Sequence, residues 1–125
     1  MAQTKEQKAI NKIKKKTIEE MTALGVYKPE FSATINAYAQ LRYLYDILNE
    51  RFTENGFKVT EEYTNKAGAT NIRKTAEYQA LETIRKDILT HETVLGLNPA
   101  GLKKIRADSK KKKDSKLGAV LNGLQ

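Results

Sequence analysis

The sequence predicts a mainly α-helical protein: a helical hairpin core with a small β-hairpin inserted between its two long helices. Two long segments repeat apolar residues at helical spacing, and glycines close them at Gly56 and Gly96. Between them, residues 57–64 alternate with a period of two, and the turn formers at 65–68 follow.

A first helix is expected from Thr4 to about Met21, with Gly25 as its stop. Its apolar stripe, Ile10, Ile13, Thr17 and Met21, is thin, and its opposite side is lysine. Such a helix needs a partner: another helix, another subunit or a polyanion. The second helix opens at Pro29, with Glu30 at the positive end of the dipole, and runs to about Asn55. Phe31, Ile35, Tyr38, Leu41, Leu44, Tyr45, Leu48 and Phe52 form its main stripe, and Tyr43 and Ile47 fall outside it. That face is wider than one seam requires. A chain of 125 residues has few elements to cover it, so contacts between subunits are the economical explanation.

In the hairpin, Phe57, Val59, Glu61 and Tyr63 alternate with Lys58, Thr60, Glu62 and Thr64, and a second extended piece at 71–73 pairs back. Two strands alone are marginal, so the hairpin should pack on helices or join a sheet shared with neighbouring subunits. A third helix, from about Thr75 to Val94, sets Leu81, Ile84, Ile88, His91 and Leu95 on a narrow seam suited to antiparallel packing against the second. His91 on that seam reads as a core residue. Asn98 then reads as an N-cap and Pro99 as the first residue of a short fourth helix through about Ala107. Leu97 and Leu102 form its hydrophobic staple.

These elements divide the chain into a basic N-terminal helix (1–26), an oligomerisation core (27–107) and a basic flexible tail with an apolar end (108–125). Within the core, Phe31, Tyr38, Leu41, Tyr45, Leu48, Leu81, Ile84 and Ile88 are the expected oligomerisation residues. Residues 108–116 are nearly all charged and are expected to be disordered in isolation. Leu117, Val120, Leu121 and Leu124 then repeat at i, i+3, i+4, i+7, a miniature amphipathic helix that suits docking to another protein.

Charge is concentrated at the ends. The net charge is +8. Lys5, Lys8, Lys12, Lys14, Lys15 and Lys16 stand against Glu6, for +5 in residues 1–16. Lys103, Lys104, Arg106, Lys110, Lys111, Lys112, Lys113 and Lys116 stand against Asp108 and Asp114, for +6 in residues 103–116, which leaves −3 elsewhere. Basic arms around a mildly acidic body suit a polyanion. Neither arm contains Phe or Tyr, and no helix-turn-helix is evident, so these fourteen residues read as phosphate contacts rather than base readers.

Catalytic chemistry finds little support. There is no Cys and a single His, which removes thiolate and His-rich metal sites. Neither GxxxxGK[ST] nor GxGxxG occurs. Asp46 and Glu50 sit one helical turn apart beside Arg42 and Arg51, Glu61 and Glu62 point to opposite sides of a strand, and Glu82 is a single carboxylate. No catalytic set, metal or cofactor is expected. Without an apolar stretch behind the first lysines or a run of about 20 apolar residues, the chain reads as soluble and intracellular.

The order of elements carries a resemblance. A Tyr-rich long helix precedes a hairpin with Asn65-Lys66-x-Gly68 at its tip. Leu81-x-x-Ile84-Arg85-x-x-Ile88-Leu89 follows, and then L-G-L-N-P-A-G-L-K-K-I-R from Leu95 to Arg106. Over residues 27–106 this combination resembles the phage terminase small subunits, which typically carry Thr where Asn98 stands; Asn preserves the cap. The resemblance implies a ring-like homo-oligomer that binds double-stranded viral DNA in the cytoplasm of the infected host cell. It also implies recruitment and regulation of a terminase large subunit, which would hold the ATPase and nuclease. A small dimeric DNA-binding regulator of a phage or bacterium is the alternative, and an enzyme with an unfamiliar carboxylate site comes third.

Overall fold

A computed structural model describes residues 2–123 of the chain. The order is α1 (Lys5–Ala23), a 3-10 turn (Pro29–Phe31), α2 (Ser32–Glu54), β1 (Thr60–Thr64), β2 (Thr70–Lys74), α3 (Ala76–Leu95) and α4 (Pro99–Gly123). The chain is mainly helical, with one two-stranded antiparallel hairpin, as the periodicities predict.

Local chemistry sets the boundaries. Thr4 caps α1 through a reciprocal box: its hydroxyl accepts from the Gln7 amide, and the Gln7 side chain accepts from the Thr4 amide. At the far end of α2, the amide of Phe57 donates to the carbonyl of Phe52 and that of Gly56 donates to Thr53. The rings of Phe52 and Phe57 meet edge-on with centroids 5.6 Å apart. This is a Schellman ending with its hydrophobic contact, and it holds Phe57 at φ 59°, an unusual conformation for a side-chain-bearing residue. α1 ends in the same hydrogen-bond pattern, Val26 to Met21 and Gly25 to Thr22, and both Val26 and Met21 are buried.

The core joins elements that the sequence reading kept apart. Met21 and Val26 from the first helix and its exit cluster with Ile35 and Tyr38 of α2 and Leu95 of α3. α1 is therefore part of the body rather than an arm beside it, because its thin stripe finds its partner in α2. Leu81, Ile84, Ile88 and Leu95 are buried along α3 as the seam predicts, whereas His91 is only half-buried. Its Nδ1–H donates to the carbonyl of Asp87 on its own helix, 2.7 Å away.

The hairpin pairs Thr60 with Lys74 through to Thr64 with Thr70. In its loop, the side-chain oxygen of Asn65 accepts from the amides of Ala67 and Ala69. All ten strand residues are exposed, so the hairpin buries no face on the chain's own helices and meets α3 through Lys74, which pairs with Glu82. It is fastened at its base. Thr75, 4% exposed, donates its hydroxyl to Lys58 and its amide to Val59, and it caps α3 by accepting from Tyr78.

The elbow between α3 and α4 is the tightest junction. Gly96 takes φ 74°, and a Cβ built there would lie 2.8 Å from Ile105 Cδ1. Asn98 caps α4, its side-chain oxygen accepting from the Gly101 amide at 2.8 Å while its amide nitrogen donates to the Thr93 hydroxyl. A Cβ at Gly101 would lie 2.0 Å from the Thr93 carbonyl oxygen. Leu97 and Leu102 both pack against the core, as a staple requires.

α4 departs from expectation. It continues through the lysine run to Gly123 instead of stopping near Ala107, so the segment expected to be a flexible tail is helical. Lys, Ala and Leu are good helix formers, and the next glycine after Gly101 is Gly118. Asp108 precedes Lys112 by four residues, and Asp114 follows Lys110 by four, so acid–base spacings partly offset the repulsion within the run.

Two outcomes follow for stability. Gly101→Ala should destabilise the fold by about 2 kcal/mol or more through overpacking at the elbow, read as a lower urea midpoint with unchanged slope; an unchanged midpoint would show that the elbow yields freely. Tyr38, buried and donating to Glu92 at 3.1 Å, has its phenol pushed up to about 12, by burial first and by the Glu92 charge second. The unfolded chain would ionise near the ordinary value of about 10. The neutral phenol's contribution is thus full below about pH 10 and lost as pH rises through about 12. Unfolding free energies of the wild type and Tyr38→Phe should converge across that window, and a pH-independent difference would contradict the assignment.

Candidate functional site

The expected DNA-contacting residues lie on two helices. On α1, Lys5, Lys8, Lys12, Lys15 and Lys16 are exposed and Lys14 is half-buried. Lys16 faces Glu20 at 4.0 Å, and a cleft of about 400 Å³ beside it is lined by Glu20, Asp46 and Glu92 as well as by Lys16 and Arg42. This side of the body is therefore of mixed sign.

The second set is all exposed on α4: Lys103, Lys104, Arg106, Lys110, Lys111, Lys112, Lys113 and Lys116. Because α4 is one helix, its basic residues have fixed relative positions. Arg106, Lys110 and Lys113 stand at i, i+4 and i+7 and share a face. That face borders a groove of about 320 Å³ lined also by Gly25, Val26, Lys28, Ile105 and Ser109. The guanidinium of Arg106 reaches the Leu24 carbonyl at 3.5 Å. Lys28 has no place among the sequence-predicted contacts, since it stands alone between Tyr27 and Pro29. Only the docking of α4 against the exit of α1 brings it to the other three. The lysines of α1 do not line this groove.

The expected oligomerisation residues separate into two groups. Tyr38, Leu81, Ile84 and Ile88 are buried within the single chain by the packing of α2 against α3. Phe31 packs partly buried against the core, and Leu41, Tyr45 and Leu48 are half-buried. Leu44 is 45% exposed. Within the chain α2 buries Ile35, Tyr38, Ala39 and Phe52, and the rest of its apolar face is half-buried or, at Leu44, exposed. Of the docking residues, Leu117, Val120 and Leu121 are exposed on the last turns of α4; Leu124 lies outside the described residues.

Two of the candidate carboxylates are engaged in ion pairs, and Asp46 lines the mixed-sign cleft beside α1. Glu61 pairs with Arg73 at 3.0 Å across the hairpin, and Arg73 also lies over the Tyr63 ring. Glu82 pairs with Lys74 at 3.2 Å, and that hydrogen bond holds its carboxyl below the usual carboxylate range. Among the described residues, no group of three or more His, Cys, Asp or Glu side chains is placed to hold a metal ion. No helix among them is long and apolar enough to cross a membrane.

Comparison with known proteins identifies a family. No curated protein and no solved structure matches the chain at a significant level. The family model described as phage terminase, small subunit, matches residues 11–112. That span is wider than the resemblance read from residues 27–106, and it takes in most of α1 and α4 through Lys112. With most of its length matched, the chain belongs to the phage terminase small subunit family.

Proposed function

We propose that this chain is a non-catalytic adaptor of viral genome packaging, which binds double-stranded viral DNA and recruits and regulates the terminase large subunit. The observation that carries the reading is the family match across residues 11–112, which takes in α2, the hairpin and α3 whole, with most of α1 and the first part of α4. ATPase and nuclease chemistry would then reside in the large subunit, in the cytoplasm of the infected host cell. The exposed basic residues of α1 and α4 supply phosphate contacts that position the protein without reading bases.

Self-association into a ring is part of the same reading. Phe31, Leu41, Tyr45 and Leu48, with Leu44, remain available to a neighbouring copy in a way that the buried Tyr38, Leu81, Ile84 and Ile88 are not. The fully exposed hairpin adds two open strand edges on which neighbouring copies can pair. Weak phosphate contacts repeated around a ring sum to useful affinity.

Native mass spectrometry of the purified chain should give a closed oligomer of more than two copies. A stable dimer would favour a dimeric DNA-binding regulator instead. Deleting residues 117–125 should preserve that mass while impairing stimulation of the large subunit's ATPase, since it removes the exposed Leu117, Val120 and Leu121. Undiminished stimulation would exclude the apolar end as the docking element.

A further inference from the structure

We propose that the groove between the exit of α1 and α4, lined by Lys28, Arg106, Lys110 and Lys113, is the principal phosphate-binding track for duplex DNA. The inference rests on the DNA-binding reading above and deepens it by choosing between the two basic ends of the chain.

The first argument is the sign of the lining. Four cations and the Ser109 hydroxyl surround the groove, and no carboxylate lines it. None of the four cations takes part in an ion pair among the described residues. Asp114 lies one turn beyond Lys110 on α4 but is not part of the lining. The contrast with α1 is direct, since Lys16 already faces Glu20, and Asp46 and Glu92 line the same cleft. A phosphate approaching Lys16 there meets three carboxylates beside Lys16 and Arg42, whereas one approaching the groove meets cations and no carboxylate.

Opposing terms are smaller. The groove lies at the negative end of the α1 dipole, equivalent to roughly half an elementary charge. Four whole positive charges outweigh it. The Arg106 guanidinium, reaching the Leu24 carbonyl, also covers part of that end. A guanidinium carries five donors, so one weak contact leaves most of its fork for a phosphate.

Shape and spacing agree with a backbone track. Gly25 has no side chain to fill the groove, and a Cβ there would meet open space. From Arg106 to Lys113, α4 rises about 10 Å. One strand of a duplex advances about 3.4 Å per phosphate along its axis, so this face spans roughly three phosphates, with Lys28 reaching in from the opposite wall.

The test is fluorescence anisotropy of the full chain with a labelled duplex DNA of arbitrary sequence, titrated across a salt series. Replacing Lys28, Lys110 and Lys113 together by Ala should reduce the slope of log affinity against log salt by about 2 to 3, at roughly 0.9 per phosphate contact. Arg106 is left intact because it also touches the Leu24 carbonyl. A charge-matched variant at exposed positions on other faces, Lys58→Ala with Lys66→Ala and Lys86→Ala, should change the slope by less than one. Circular dichroism and native mass of each variant should match the wild type. Should the groove triple alter either, Lys28→Gln alone provides the reading, with an expected slope loss of about 1. Equal losses in the groove and charge-matched variants, or an unchanged slope in the groove triple, would overturn the track while leaving DNA binding intact. If the wild-type chain binds no duplex DNA even at low salt, the DNA-binding reading itself fails and the track with it.

Discussion

The close approach of the first turn of α4 to the Thr93 carbonyl governs where the outer half of the molecule goes. Only a residue without a Cβ fits at Gly101, where the added carbon would stand 2.0 Å from that oxygen. Gly96 turns the chain, Asn98 satisfies the first amides of the new helix, and Ile105 lodges beside Gly96. Together these contacts fix the direction of a 25-residue helix from its first two turns. Everything beyond Ser109 follows rigidly from that direction, because from Lys110 to Leu117 every residue is exposed and touches little that could correct it.

The direction decides the electrostatics. Spread over a flexible tail, eight basic residues would supply a diffuse positive cloud whose effect depends mostly on their number. Held on one helix, they differ in value according to the face they occupy. Arg106, Lys110 and Lys113 line one groove together with Lys28. Lys104 looks instead toward a hollow lined by Phe31, Val94 and Asp108. At the other end of the sequence, a comparable count of lysines stands on a helix with acidic neighbours.

Much of this architecture is legible in the residues. The helices announce themselves through apolar period and caps, and the hairpin through alternation and the Asn65 turn, since these signals are local. The elbow is legible as well, because Asn98, Pro99 and the Leu97–Leu102 staple act within six residues of one another. What escapes the sequence is the identity of partners. The broad face of α2 states that it will be buried, but not that α1 and α3 cover Ile35, Tyr38 and Phe52 within the chain. The run from Lys110 to Lys113 reads as a solvated coil by charge, yet it inherits helical geometry from an anchored first turn. Lys28 carries no signal at all, as its membership in the groove is created by tertiary packing.

The charges of the hairpin bear on what can pair with its open edges. Both of its edges leave backbone amides and carbonyls without strand partners, and such edges invite indiscriminate sheet growth. Here Glu61, Glu62, Arg73 and Lys74 place two negative and two positive charges within ten strand residues. An arriving strand must bring charges of compatible sign in compatible register or meet repulsion. The same ribbon that is open to pairing therefore selects by charge among the strands that could join it.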